Sequence, residues 1–480
     1  MTQFNLADIF TDNMVVQRGK PICIFGTGET GSKIAVSLGS GASAATVTDG
    51  TWKLFLPAVH EYRDDLTLIA ECSTDNKTII LMNIAVGEVW FAGGQSNMEW
   101  ELQSCEQGEQ ALANDYSPNI RYYYTPKTTA LNRENENTPE WEQWGSEGCK
   151  HWSAAAYFFA KKITHSTGAI VGIIGCNWGG TSASAWVSRE CLTSDTNLKR
   201  LYIDQHTPAD YEPCKPTQLY ESMVKPICPY TIAGFIWYQG EADCIHAEHY
   251  YTLFSSLISL WRKDWEDSTL PFLFCQLTMH RFEGDPDWKD WAVLREAQDK
   301  VNTTTPDTGI AVIVDCGEFN EVHPKDKKTV GERLSLLALR TVYNKDVKAF
   351  APRYRSHAVK NHGNNHGNIP PTTFQSHLNS KTLKSGREIE LYFDNADEGF
   401  ALKNSDYPVG FELAGADGVF YDVGKGLVEF DGENNKIVIK SNEVERPHYI
   451  RYLWTNYAEV ISIYGADSDL PLIPFRAELY

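Results

Sequence analysis

Short alternating runs open the chain. PICIFG, KIAVSLG, ATVTDG and TWKLFLP fall within residues 1–85 and are broken by Gly, Asp and Asn. Such alternation places apolar side chains on one face of a strand, and Asp49-Gly50 is a hairpin signal. The pattern predicts a small antiparallel sandwich without a helix. From 86 to 350 the period changes. Val86–Ala92, Ile170–Gly175, Ile232–Tyr238, Phe272–Leu277 and Ile310–Asp315 are apolar throughout and of strand length. Between several of them lie helical patterns. Tyr250, Leu253, Phe254, Leu257, Ile258 and Trp261 share one face, as do Val330, Leu334, Leu337 and Ala338. Apolar strands alternating with amphipathic helices predict an α/β domain: a parallel sheet covered on both faces, with ligands beyond the strands' C-terminal ends. Residues 351–385, with NHGNNHGNIPP, have the composition of a connecting loop. From 386 to 480 the β texture returns in EIELYF, GFELAG, KIVIKS, YIRYLW and VISIYG, predicting a second β-rich module.

Composition narrows the function classes. The chain has 480 residues and a formal net charge of −20, which disfavours nucleic acid and anionic membrane surfaces as partners. No apolar run approaches the roughly 18–20 residues of a membrane span, and MTQFNLADIFTDN shows no signal peptide. The 11 cysteines contain no C-x-x-C pair. An odd, scattered set argues for a reducing compartment, hence a cytoplasmic location, and against a disulfide framework.

Three attractive features carry little weight. Gly26-Thr27-Gly28-Glu29-Thr30-Gly31 matches a dinucleotide fingerprint, but KIAVSL after it alternates like a strand, so a glycine-rich β-turn is expected. Cys244, His246 and His249 fit no zinc spacing and are expected to be ordinary helix-start residues. His362 and His366 lie in the Asn/Gly-rich loop and are expected to be solvated.

Four other features sit at predicted strand ends. GGQSNME follows GEVWFA and precedes the helical pattern MEWELQS. A serine in that turn, Ser96, is either a nucleophile presented at a helix N-terminus or simply a helix cap. GCNWGGT follows AIVGII, and its glycines can aim a backbone N–H at a ligand or merely make a tight turn. WYQGEAD ends a central strand with an amide, Gln239, and two carboxylates. DCGEFNEVHP ends the last strand with His323, a base for a distant serine or a structural histidine. One parallel sheet would gather all four.

In order along the chain, GGQSNMEW, CNWGGTSASAW, FIWYQGEAD and EVHPKDK resemble the blocks of SGNH-type carbohydrate esterases. More narrowly, they resemble the sialate O-acetylesterases and their acetylxylan esterase relatives. Flanking similarity in LADIFTDNMVVQRGKPICIFG, PFLFCQL, GFELAGADGVFYDV, IRYLWTN and LPLIPFRAE extends the likeness over nearly the whole chain. The resemblance implies an SGNH-hydrolase-like sheet flanked by β modules, and a serine esterase acting on O-acetylated sugars without metal or cofactor. It makes Ser96 the nucleophile, His323 the general base, and Ser96 N–H, Gly180 N–H and Gln239 the oxyanion donors, with Gly179 as the alternative to Gly180. The family often has Asp two residues before the His. Glu321 stands there, a methylene longer, with Asp315, Glu318 or a Ser-His dyad as alternatives. Trp178, Trp186, Trp237 and Tyr238 are either sugar platforms or core. A sialate carboxylate favours a nearby cation, for which Arg451 is the candidate, a structural ion pair being its other reading. Sialate and xylan acetates are not separated by any residue of the sequence.

Overall fold

The computed structural model describes residues 3–74, 76–129, 139–205, 211–360, 387–431 and 435–480. It divides into two compact units, Met1–Glu283 with Val293–Ala349, and Gly284–Ala292 with Phe350–Tyr480. The N-terminal β region is thus part of the same unit as the α/β region. The cause is one long strand that crosses the expected boundary at residue 85.

In the first unit β1 (Asn5–Leu6), β3 (Ile22–Thr27) and β6 (Thr51–Leu56) form a three-stranded sheet. β2 (Val15–Gln17), β4 (Lys33–Leu38), β5 (Gly41–Thr46) and β7 (Arg63–Cys72) join a larger sheet through β8 (Thr78–Gly94). The first six residues of β8 alternate between exposed and half-buried; the last eleven are buried throughout. Its outer half belongs to a sheet with one open face, its inner half to one covered on both. The glycine-rich segment 26–31 turns from β3 into β4, with no helix after it.

β8 pairs in parallel with β11 (Val171–Asn177) on one side and β12 (Gly234–Tyr238) on the other. β9 (Ile120–Tyr124) lies beyond β11, with β10 (Trp141–Gln143) antiparallel at that edge. β13 (Phe272–Gln276) and β14 (Thr308–Val312) extend the other side. Strands β9 and β10 are additions to the predicted set. β9 escapes the apolar pattern because Arg121 interrupts it. That arginine is buried nonetheless, donating to the carbonyls of Asn13 (2.9 Å) and Asn83 (2.5 Å).

Three helices matter most for the site: α1 (Ala154–Thr167), α2 (Ala247–Asp264) and α3 (Lys327–Thr341). α2 buries the six residues its periodicity marked, and α3 buries its four. Ser153 caps α1 by accepting from Ala156 N–H, and Asp326 caps α3 by accepting from Thr329 N–H. Because β11 and β12 flank β8, chain direction along the sheet reverses there. The crevice at the C-terminal ends of these three strands is the expected ligand site.

MEWELQS does not continue as a helix. The segment is α-helical only over Ser96–Glu99, with a separate 3₁₀ turn at Leu102–Ser104, because the Trp100 carbonyl accepts from Ala154 N–H and Leu102 N–H donates to the Trp152 carbonyl. The backbone is diverted into pairing with the start of α1, so a single turn faces the site rather than a long dipole.

Among the described residues the second unit holds three sheets: Arg353–Lys360, Glu388–Asp394, Lys436–Lys440 and Val428–Asp431 in that order, Phe400–Leu402 with Ile463–Gly465, and Phe420–Asp422, Phe411–Ala414, Tyr449–Tyr452 and Phe475–Glu478 in that order. β15 (Arg353–Lys360) occupies part of the segment expected to be loop, pairing antiparallel with β16 (Glu388–Asp394) at a sheet edge. An edge strand buries little, so its charged sequence shows no apolar pattern. His362 and His366 lie outside the described residues. No described helix is long and apolar enough to cross a membrane.

Candidate active site

Ser96 follows β8 by two residues and is half-buried. Its turn is tied to its neighbours on both sides. Gln95 N–H donates to the Tyr238 carbonyl (3.1 Å) at the end of β12, and Trp178 N–H to the Gly94 carbonyl (3.1 Å). The buried Gln95 side chain accepts from Gly240 N–H (3.4 Å) and Ala242 N–H (3.2 Å). These bonds lock GGQSN to both adjacent strand-end turns. His323, 227 positions later, places Nε2 2.8 Å from Ser96 Oγ. Its ring stacks on Trp100, with centroids 5.1 Å apart. Burial, followed by the Lys327 charge, lowers the His323 pKa, so the imidazole is neutral and able to accept a proton at pH 7.

The glycine pair after β11 abuts the serine. A Cβ on Gly179 would lie 3.3 Å from Ser96 Cβ, so the turn tolerates no bulk there. Gly179 N–H is taken by Glu99 Oε2 (2.6 Å), whose other oxygen binds Lys127 Nζ (2.5 Å). Gly180 is solvent-exposed in the left-handed region, φ +72°, and its N–H has no partner among the described residues. The same is true of Ser96 N–H.

Gln239 sits differently from the sequence-based expectation. It is fully buried, and its Nε2 donates to the Thr181 carbonyl (3.2 Å) and Asp243 Oδ2 (2.6 Å), while Oε1 accepts from Tyr250 (2.8 Å). Both amide hydrogens are committed to the packing of the turn.

A family model described as a carbohydrate esterase, sialic acid-specific acetylesterase, matches residues 86–334, more than half of the chain. The chain belongs to this family. Sialate O-acetylesterase of Homo sapiens is 24% identical over 379 residues, 71% of each chain, and that of Mus musculus is 23% identical over 397 residues, 70% of this chain and 73% of its own. The crystal structure of a carbohydrate acetylesterase from Xanthomonas citri matches 99% of this chain and 100% of its own, with 29% identity and a TM-score of 0.83. The chain is accordingly a carboxylic ester hydrolase acting on carbohydrate.

Other site residues of the esterase are distributed unevenly. Glu321 Oε1 accepts from His323 N–H (2.8 Å) but lies 3.6 Å from Nδ1, beyond hydrogen-bond reach. Asp315 holds Arg333 through both oxygens (2.5 and 2.7 Å), and Glu318 Oε1 accepts from Lys325 N–H (2.9 Å), so both alternatives are engaged elsewhere. Trp186, Trp237 and Tyr238 are core, with Trp237 edge-on to Trp186 and Trp261. Trp178 is 3% exposed, with Lys127 5.4 Å over its ring and its Nε1 bonded to Tyr211 (2.7 Å). It supports Tyr211, 49% exposed, rather than offering a free face of its own. Arg451 belongs to the second unit, where Glu412 binds it through two 2.7 Å bonds and Phe420 lies beneath it. It is a structural ion pair. His246 flanks α2, and Cys244 Sγ faces the Gly240 carbonyl.

The sequence reading passed over Asn97, Glu99, Lys127, Tyr211 and Lys327. Asn97, Glu99 and Lys327 lie inside the quoted blocks GGQSNMEW and EVHPKDK, which was the available signal. Lys127 and Tyr211 come from connections with no pattern of their own.

Proposed function

We propose that the esterase removes O-acetyl groups from sialic acid through an acetyl-Ser96 intermediate. The observation that carries the serine chemistry is the 2.8 Å contact between Ser96 Oγ and a His323 imidazole of lowered pKa. His323 Nε2 takes the hydroxyl proton as Oγ bonds to the acetyl carbonyl carbon. The developing oxyanion is received by Ser96 N–H and Gly180 N–H, two donors with no partner among the described residues. The carbon–oxygen bond to the sugar then breaks, and the leaving alkoxide takes the proton from His323. Water, deprotonated by the same imidazole, releases acetate. Gln239 acts in this reading as a buried brace for the Thr181 turn. Glu321 fixes the His323 backbone rather than completing a triad.

The sialate preference rests on the family description and on the relatives' names. For the carboxylate of such a sugar, a cation beside the Gly179 turn is Lys127, which can use the ammonium hydrogens that Glu99 leaves open, in place of Arg451. Acetate release from 9-O-acetylated sialic acid should exceed release from acetylated xylooligosaccharides. The reverse order would assign the enzyme to xylan acetates. Ser96→Ala and His323→Ala should each abolish hydrolysis of 4-nitrophenyl acetate in folded protein, and full activity in either would overturn the mechanism. A reducing, cytoplasmic setting is proposed on the thiol count, and subcellular fractionation would check it.

A further inference from the structure

Asn97, the residue after the nucleophile, is fully buried, and its amide joins three strand-end turns. Nδ2 donates to the Val322 carbonyl (2.9 Å), next to His323, and to Glu241 Oε1 (2.5 Å). Oδ1 accepts from Lys327 Nζ (2.7 Å). Lys327 opens α3, is itself fully buried, and donates also to the Pro324 carbonyl (2.5 Å). The Trp100 and Tyr238 rings lie 5.6 and 5.8 Å from its ammonium. No carboxylate among the described residues is within ion-pair distance of it. A buried ammonium without a directly paired anion is costly, and an apolar side chain would fill the same space without that cost. What the ammonium adds is direction. It fixes the Asn97 oxygen toward itself, which forces both amide hydrogens toward Val322 and Glu241.

We propose that Lys327 is a positioning residue for the general base: through the Asn97 amide it holds the His323 loop in register with the Ser96 turn. This rests on the assignment of Ser96 and His323 as nucleophile and base. Charge acts in the same direction. His323 is faced by Lys327 from α3, Glu321 from its own loop, His280 from the segment after β13 and Glu99 from the nucleophile turn. After burial, Lys327 is the largest influence lowering the His323 pKa, and Glu321 and Glu99 oppose it. Lys327 itself is faced by Glu241, Cys316, Cys275 and Cys105. Burial brings its pKa down to about 8, so it is still chiefly charged at pH 7.

The test is a pH profile of 4-nitrophenyl acetate hydrolysis for Lys327→Met, Lys327→Arg and Asn97→Asp. Loss of register on this scale costs on the order of 10²-fold in kcat. Lys327→Met should show that loss with KM little changed, and its acid limb should move to higher pH, because the charge that depressed the His323 pKa is gone. Lys327→Arg should keep the limb at the wild-type pH. Asn97→Asp retains an acceptor for Lys327 but cannot donate to Val322, so its kcat should fall by a similar factor. Thermal melts report folding, and if Lys327→Met does not fold, Asn97→Asp decides. An unmoved acid limb in folded Lys327→Met, or wild-type kcat in Asn97→Asp, overturns the proposal. Activity remaining in Ser96→Ala would instead count against the serine assignment, whereas an inactive Ser96→Ala beside wild-type Lys327→Met and Asn97→Asp would bring down this proposal alone.

Discussion

Two polar turns end strands of the same sheet and behave in opposite ways. The turn after β12 carries Gln239 and Asp243, both buried and fully engaged. Asp243 accepts from Ser182 Oγ (2.6 Å), Ala183 N–H (2.8 Å), Gln239 Nε2 (2.6 Å) and Tyr202 (3.3 Å). Burial raises its pKa, and those bonds pull the other way. The turn after β14 carries Glu321 and His323, which are 41% and 28% exposed at the side chain. Its imidazole has one strong side-chain partner, the serine. Polar residues in a strand-end motif therefore divide by remaining hydrogen-bond capacity. A group whose donors and acceptors are all satisfied inside the protein braces the crevice, and one left open to it can react.

Three substitutions would break or sharpen this contrast. The largest effect belongs to the open turn: His323→Ala should lower kcat by about 10⁴-fold or more, since nucleophile and base act as a unit. Its melting temperature should stay near that of the wild type, and a large drop would mean that His323 is a brace as well. Next is the sealed turn. Asp243→Ala strands several buried donors, each costing about 1–3 kcal/mol. We expect the unfolding free energy to fall by about 3 kcal/mol or more in urea titrations, and unchanged stability would erase the distinction. The smallest effect is Glu321→Gln. Its carboxylate is 3.6 Å from Nδ1, so kcat should fall less than about tenfold. Glu321 raises the His323 pKa, and its neutralisation should move the acid limb to lower pH, opposite to Lys327→Met. A loss as large as that of His323→Ala would instead make Glu321 a full triad member. In the wild type, that limb should lie below the ordinary histidine value of 6.5, because burial disfavours the imidazolium.

Much of the architecture was legible because burial on both faces leaves a plain mark. The apolar runs at β8, β11, β12, β13 and β14, and the stripes of α2 and α3, were all visible as patterns. Strands that bury a charge, as β9 does with Arg121, or lie at an edge, as β15 does, left no such mark. The boundary at residue 85 failed for a related reason. Alternating and continuous burial within β8 look like two segments, yet they are one strand passing from a half-covered layer to a fully covered one.

At the site, the order and residue types of the blocks already singled out Ser96 and His323, since strand ends of a parallel sheet converge whatever the loops do. What the sequence could not determine was where each side chain points. Gln239 as oxyanion donor, Trp178 as platform and Arg451 as carboxylate partner are chemically reasonable by residue type. Tertiary packing turned the first toward Asp243, covered the second with Lys127 and Tyr211, and paired the third with Glu412. It also placed Lys327 beneath Asn97, 230 positions away. Residue type sets what a group can bond to. Only the folded chain determines which of those bonds are already made, and a polar group can serve a substrate only with the bonding capacity the fold has left it.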